Sequence, residues 1–302
     1  MTDWPSVGVV LPTRDRPAEL KAALDSVLAQ EYPGRLVAVV VHDQSVPDQA
    51  LADGDRVTVL ANARTPGLAG ARNTGILALD TDLIAFCDDD DDWLPGKLAA
   101  QVGALRARPR AEFASCGILV DSGGRLSPRL AGRDEVRYDD LLRSRMVMVH
   151  SSTFVVRRDV LLDGIGLLDE SIPGSQNEDW DLALRAARRA AIVQVDMPLT
   201  RVRWGGASYF DQQWESKAQS LEWMLDRHPD IAACRPGAAR VYGQIAFAYA
   251  CLGRRREAAR WAGRAARRNW HERRVLIAIA VAAGALPGEA VIRRLHARGH
   301  GI

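Results

Sequence analysis

Four apolar runs, each bounded by polar or turn-forming residues, constrain this chain more than any other feature: Val7–Leu11, Leu36–Val41, Val57–Leu60 and Leu83–Cys87. Each is too short for a helix and apolar on both sides, the pattern of a strand buried on both faces. Between them lie segments of helical period. Pro17–Ala29 aligns Leu20, Leu24, Val27 and Leu28 on one face, and Gly70–Leu79 reads as a second helix. Alternating elements of this kind predict a mostly parallel α/β sheet covered by helices, with ligands beyond the carboxyl ends of its strands. Thr13, Asp43 and the run Asp88–Asp92 all fall at such ends. Five stacked carboxylates repel one another, and a hard divalent cation bound through oxygen is their natural counter-charge. A block of like charge also reads as a solvated acidic loop.

Further along, a helix is expected from Pro95 to about Ala107. Strands follow at Phe113–Val120 and Ser152–Val156, a helix at Glu178–Ala190 and a strand at Ile192–Val195. Beyond Trp214 the pattern is helical only. The expected division is residues 1–210 as a catalytic domain and 211–302 as a small all-α region. Ile245–Tyr249, a turn at Gly253, and Glu257–Ala262 resemble one tetratricopeptide-type hairpin, with a fainter echo at Pro287–Ala290. Fewer than three such units rarely stand alone, so they are expected to pack on the catalytic domain.

A net charge of +2 over 302 residues gives no steering toward nucleic acid, and 47% apolar with 26% charged residues is a globular composition. Four cysteines without C-x-x-C spacing fit reduced thiols. The amino terminus lacks a leader pattern, and Val275–Leu286 is too short to span a bilayer. The expected location is the cytoplasm, with a peripheral contact to the inner face of the membrane through the arginine-rich C-terminal helices. The same arginines also read as a solvated face, a peptide-binding surface or a homodimer contact.

The motifs are specific. Val9–Pro17, with Pro12-Thr13-Arg14-Asp15, resembles the opening V-x-x-x-I-P-T-Y-N-R-P of family 2 glycosyltransferases. Val41–Ser45 resembles their V-D-D-G-S, with His42 and Gln44 departing from it. Gly70–Gly75 resembles G-x-x-x-A-R-N-x-G, Phe86–Pro95 resembles F-L-D-x-D-D-x-W-x-P, and Asn177–Arg185 resembles E-D-x-D-L-x-x-R. All five occur in the family's order across the first 210 residues. The resemblance implies a GT-A nucleotide-sugar-binding fold. It also implies an inverting, metal-dependent, non-processive transfer of one sugar from a nucleotide-diphosphate donor, UDP- or dTDP-linked. The acceptor is left open among a glycan, a lipid-linked molecule, a peptide and a small molecule.

By the same resemblance Asp90 is the ligand of manganese or magnesium, within the Asp88-Asp89-Asp90 motif, and Asp88 contacts the donor ribose. Asp91 matches a further family acid, whereas Asp92 reads as a solvated loop residue. Asp43 is expected at the nucleobase, with Pro12, Thr13 and Asp15 lining the pocket. Arg72 is expected at the donor phosphates or in a salt bridge to the acids. Asp179 is the expected base, removing the acceptor's proton, a role worth ~10²–10⁴-fold in rate; acids also simply favour a helix N-terminus. Glu178 is expected to orient that loop and Trp180 to stack on a sugar. His150 is placed at acceptor entry or in a structural hydrogen bond. Arg203-Trp204 resembles the R-W of processive members without their preceding Gln. Two other readings stay open: a nucleotidyltransferase, though no Gly-rich phosphate loop is present, and a non-catalytic scaffold using the hairpins.

Overall fold

The structure is a computed structural model describing residues 4–204 and 213–296. The elements run β1 (Val7–Thr13), α1 (Pro17–Leu28), β2 (Leu36–His42), β3 (Val57–Ala61), α2 (Leu68–Ala78), β4 (Leu83–Phe86), β5 (Asp91–Trp93), α3 (Lys97–Arg106), β6 (Phe113–Ser122), β7 (Arg125–Arg129), β8 (Glu135–Val136), α4 (Tyr138–Arg143), β9 (Val155–Arg157), α5 (Glu178–Arg189) and β10 (Ile192–Arg203). The C-terminal helices are α6 (Trp214–Arg227), α7 (Pro229–Ala233), α8 (Arg235–Cys251), α9 (Arg255–Arg268), α10 (Arg273–Ala282) and α11 (Gly288–His296).

The strands form one sheet of order β3-β2-β1-β4-β9-β6-β10-β5, with β7 beside β6 and β8 beside β10. The first four strands are parallel, as their apolar composition predicts, and β6 and β10 are also parallel. Antiparallel β9 joins the two groups. Alternate residues of β1 enter different cores. Val10 joins the cluster containing Ile76 of α2, while Val7, Val9 and Leu11 join Leu20, Leu24 and Val27 of α1. This two-sided burial is the physical content of the mostly parallel, helix-covered α/β expectation.

Two details exceed the sequence reading. The last strand was expected to stop at Val195, but β10 continues to Arg203, with register shifts on either side of Pro198. Proline has no N–H for the ladder, and an irregularity absorbs it. The aspartate run is also not all loop. Asp91–Trp93 pair as β5 with Val202–Thr200 of β10.

The C-terminal helices bury their apolar faces in the core that holds α5. Trp180, Leu182 and Leu184 lie in one cluster with Met224, Ile245 and Phe247. The boundary expected at 210–211 lies outside the described residues. Among the described residues, no helix is long and apolar enough to cross a membrane.

Candidate active site

The parallel register sets Thr13 of β1 opposite His42 of β2, and Cys87 N–H bonds to Val10 carbonyl, so Asp43 and Asp88 emerge beside β1. The turns that follow are tight. Asp15, Gln44, Met146, Ser175 and Asn177 are the non-glycine residues with positive φ among those described, and all five sit in loops around this crevice. Such backbone costs free energy and persists where the surrounding structure fixes it. Gln44, at φ 53°, occupies the position where the family motif has glycine.

Helix α2 explains the Gly70–Gly75 motif. A Cβ on Gly70 would lie 1.9 Å from the Thr65 carbonyl oxygen, and one on Gly75 would lie 2.4 Å from Val10 Cγ1. The helix therefore packs hard against β1, with Arg72 pointed into the crevice floor. Asn73 reaches across the fold: it donates to Leu168 O (2.9 Å) and accepts from Leu168 N (3.0 Å).

The aspartates divide by partner. Asp89 accepts from Thr13 Oγ1 (2.8 Å) and Arg16 (3.3 Å), and Asp90 accepts from Arg16 (2.8 Å). Burial pushes Asp89 up to about 6, with Asp90 and Asp88 adding to it against Thr13 and Arg16. Asp88 accepts from Arg72 and from Ser151 Oγ (2.9 Å). Burial would raise Asp88, but Arg72 and His150 hold it below its usual value. For Asp91 burial, with Asp90 and Asp88 alongside, outweighs a hydrogen bond from Ser152 and pushes it well above the usual carboxylate range.

Ligand atoms of Asp88, Asp91 and His150 lie within 4.8 Å of one another. The Oδ2 of Asp91 is buried and accepts no hydrogen bond. It faces His150 Nδ1 at 3.5 Å, yet that nitrogen already accepts from Ser152 N–H (3.3 Å). Asp91 Oδ2 therefore lies beside a ring nitrogen and a second carboxylate, Asp88, with no donor of its own. This donor set fits a divalent cation with oxygen and imidazole ligands. Asp90, the sequence candidate for that role, is held by Arg16 outside this triad.

Opposite lies the N-terminus of α5. Asp179 is 4% exposed, and both its oxygens accept from Arg145 Nη2 at 2.8 Å. Burial would raise Asp179, but Arg145, His150 and Arg72 outweigh it and hold the group down. Arg72, 1% exposed, bridges Asp88 on one side and Glu178 on the other. It thus ties the aspartate cluster to the helix that presents Asp179.

Several expected positions take other tasks. Arg72, read either at a phosphate or in a salt bridge to the acids, makes the salt bridge, to Asp88 and to Glu178. Glu178 is its buried partner, and burial pushes Glu178 up despite Arg72. Trp180 cannot stack on a sugar: it is 1% exposed, with Nε1 donating to Leu141 O (3.2 Å), because the C-terminal helices cover its side of α5. Asp92 is not a solvated residue. It is 6% exposed and accepts from Arg201 Nε (2.8 Å) and Arg203 Nη2 (2.7 Å), closing the β5–β10 pairing. Trp204 packs beside Ile118, Val120 and Val202. Asp43 accepts from Asn62 (2.7 Å), Gly67 N–H (3.0 Å) and Gln44 (2.9 Å), fixing the loop before α2. Pro12 is buried at the end of β1 and Asp15 is exposed beyond it. Arg145 went unread in the sequence, being one of 40 basic residues with no motif around it.

Comparison with known proteins agrees with this architecture. The crystal structure of S. aureus TarS residues 1–349 in complex with UDP-GlcNAc has a TM-score of 0.63 at 15% identity, covering 98% of this chain and 92% of that one. The mannosyltransferase PcManGT from Pyrobaculum calidifontis, in complex with GDP-Man and Mn2+, gives 0.53 at 19% identity, covering 99% and 81%. Both likenesses establish the fold. Among curated sequences, the Escherichia coli UDP-Glc:alpha-D-GlcNAc-diphosphoundecaprenol beta-1,3-glucosyltransferase WfgD is 26% identical over 141 residues, 46% of this chain and 55% of that protein. The matches span 23% to 61% of the lengths of the first four curated relatives. Residues 8–164, more than half of the chain, match the model of glycosyl transferase family 2 and carry four of the five motifs; the chain belongs to that family.

Proposed function

We propose that this protein is an inverting glycosyltransferase that moves one sugar from a nucleotide-diphosphate sugar to an acceptor hydroxyl, with Asp179 as base. One observation carries the reading: buried Arg72 joins Asp88 of the acidic cluster to Glu178, the neighbour of Asp179. Donor-side and acceptor-side carboxylates therefore belong to one crevice. In the reaction, Asp179 takes the acceptor's O–H proton. The acceptor oxygen bonds to the anomeric carbon as its bond to the donor phosphate breaks, and the nucleoside diphosphate leaves with the electron pair. An attack opposite the leaving group inverts the anomeric centre.

Asp88, Asp91 and His150 are proposed to hold a divalent metal, manganese or magnesium, which when bound offsets charge on the departing diphosphate. Asp90 is the alternative ligand. Thr13, Asp43 and Asp89 stand on the donor side, and Asp43 Oδ2, bonded here to Gln44 Nε2, has capacity to accept an imide N–H of uracil or thymine. The UDP-GlcNAc bound by the TarS structure of like fold supports a uridine donor. The catalytic unit is proposed to be residues 1–210, with the C-terminal helices as its support.

Asp179→Asn tests the base. The variant should keep manganese-dependent binding of UDP while transfer falls by ~10²–10⁴-fold. Transfer at the parent rate would remove Asp179 from the mechanism. A thermal-shift screen of nucleotide sugars with manganese names the donor, because a specific ligand stabilises by mass action.

A further inference from the structure

Beside the base lies positive charge that the surrounding acids do not match. Arg240 of α8 sits 5.2 Å from the centre of the ring of Trp180, the residue after the base, whose backbone N–H donates to Asp179 Oδ1 (2.7 Å). Arg240 Nε and Nη2 are buried and bind nothing. Arg274, at the start of α10, gives Nη1 to Glu272 (2.8 Å), while its Nε is also buried and unbound. Gly243 lets the two helices approach: a Cβ there would meet Arg274 Cβ at 2.9 Å. Arg145, on Asp179, is the third member, with a side chain 41% exposed. Burial, then Arg274 and Arg145, pull Arg240 down to about 9, against Glu272.

Arg145 is thus paired with Asp179 and Arg274 with Glu272, while two buried nitrogens of Arg240 have no partner. Leaving buried donors of a charged group unsatisfied is costly, and an arrangement of this kind is stable when an anion completes it. Guanidinium forks match phosphate oxygens two at a time.

We propose that Arg145, Arg240 and Arg274 bind a phosphate group carried by the acceptor, beside the hydroxyl that Asp179 deprotonates. This deepens the glycosyltransferase reading and rests on it. It also gives Arg145 a second task. In the free protein both oxygens of the base are engaged by Arg145, and an acceptor phosphate offers that arginine a competing partner. Asp179 is then released to take the O–H proton only when the acceptor is seated, so an acceptor lacking phosphate leaves the base covered.

The test is phosphate binding by the full chain, with EDTA present and ionic strength constant, followed by thermal unfolding and calorimetry. Inorganic phosphate should stabilise the protein saturably beyond chloride. Arg240→Met should unfold no earlier than the parent without ligand, because it loses an unmatched buried charge, yet bind phosphate about tenfold more weakly, as expected for one charge-assisted contact. Arg274→Met supplies an independent second reading of the same loss, and Arg240→Lys should retain part of the response. Glycerol 3-phosphate and phosphatidylglycerol vesicles separate the sources. Arg240-dependent binding of either supports the site and identifies a soluble or a lipid-borne phosphate. Equal phosphate responses in parent and variants, or no response beyond chloride, overturn the proposal. So does an Arg240→Met protein that unfolds earlier with its phosphate response intact, since the arginine would then serve only to stack on Trp180. Manganese-dependent UDP binding is measured in parallel. Its failure sinks the glycosyltransferase reading, whereas an absent phosphate response with UDP binding intact sinks only the acceptor site.

Discussion

The two sides of the crevice hold their carboxylates in opposite electrostatic conditions. On the β4–β5 side, Asp88 to Asp91 crowd together, and Asp91 keeps a buried oxygen without any donor. On the α5 side, Asp179 is fully engaged by Arg145. On the first side Arg16 and Arg72 hold Asp88 to Asp90 but leave Asp91 Oδ2 unmatched, whereas on the second both oxygens of the carboxylate are held. The difference implies two kinds of ligand: a positive ion for the aspartate cluster, and an anion able to compete for Arg145 at the base. Arg72 is bonded to both sides.

Removing Arg72 should have the largest effect. Arg72→Met leaves Asp88 and Glu178 buried without their shared counter-charge. Breaking a buried pair from one end costs about 3–5 kcal/mol. Urea unfolding should therefore show a loss of that size, together with weaker manganese-dependent nucleotide binding. A variant with parent stability would mean that the two acids find other partners, and that the sides are not coupled through this residue.

Much of this comparison was legible in the sequence on one side only. The strand ends could be located because Val7–Leu11, Leu36–Val41 and Leu83–Cys87 are almost wholly apolar, so the polar residues just after each mark the crevice. Asp43, Asp88 and Thr13 follow from that alone. What joins across the crevice was not legible. Arg145 meets Asp179 34 residues away, and Asp92 meets Arg201 109 residues away. No local period encodes such pairs. Trp180 shows the same limit: three acids in the first turn of α5 suggest an exposed helix start, yet α6 and α8 cover it. Helical period reports a face, but not what lies on it.

Asp91 tests the claim that its side of the crevice is left short of positive charge at one carboxylate. In EDTA, Asp91→Asn should be as stable as the parent or more so, by about 1 kcal/mol, because a neutral amide replaces a buried carboxylate crowded by Asp90 and Asp88. With manganese and UDP the order should reverse: the variant should lose most of the parent's ligand-induced rise in unfolding temperature. Undiminished protection by manganese and UDP would move the cation to Asp90.

The smallest expected effect sharpens the comparison with a third carboxylate, outside the crevice. Glu170 accepts from Asn73 (2.7 Å) and Thr65 N–H (3.2 Å) and pairs with Arg64, pinning the loop that leads into α2. Burial would raise it, but these donors hold it down to about 2, from an ordinary 4.5. A carboxyl depressed on folding contributes stability that is complete above its unfolded value and is lost as pH falls through its folded one. The gain is therefore present at neutral pH, shrinks below about pH 4.5 and disappears near pH 2. For a rim-lying group screened by water, Glu170→Gln should cost on the order of 1 kcal/mol at pH 7. That deficit should narrow steadily when unfolding is repeated toward pH 3. A deficit independent of pH would show that Glu170 acts through its shape and not its charge.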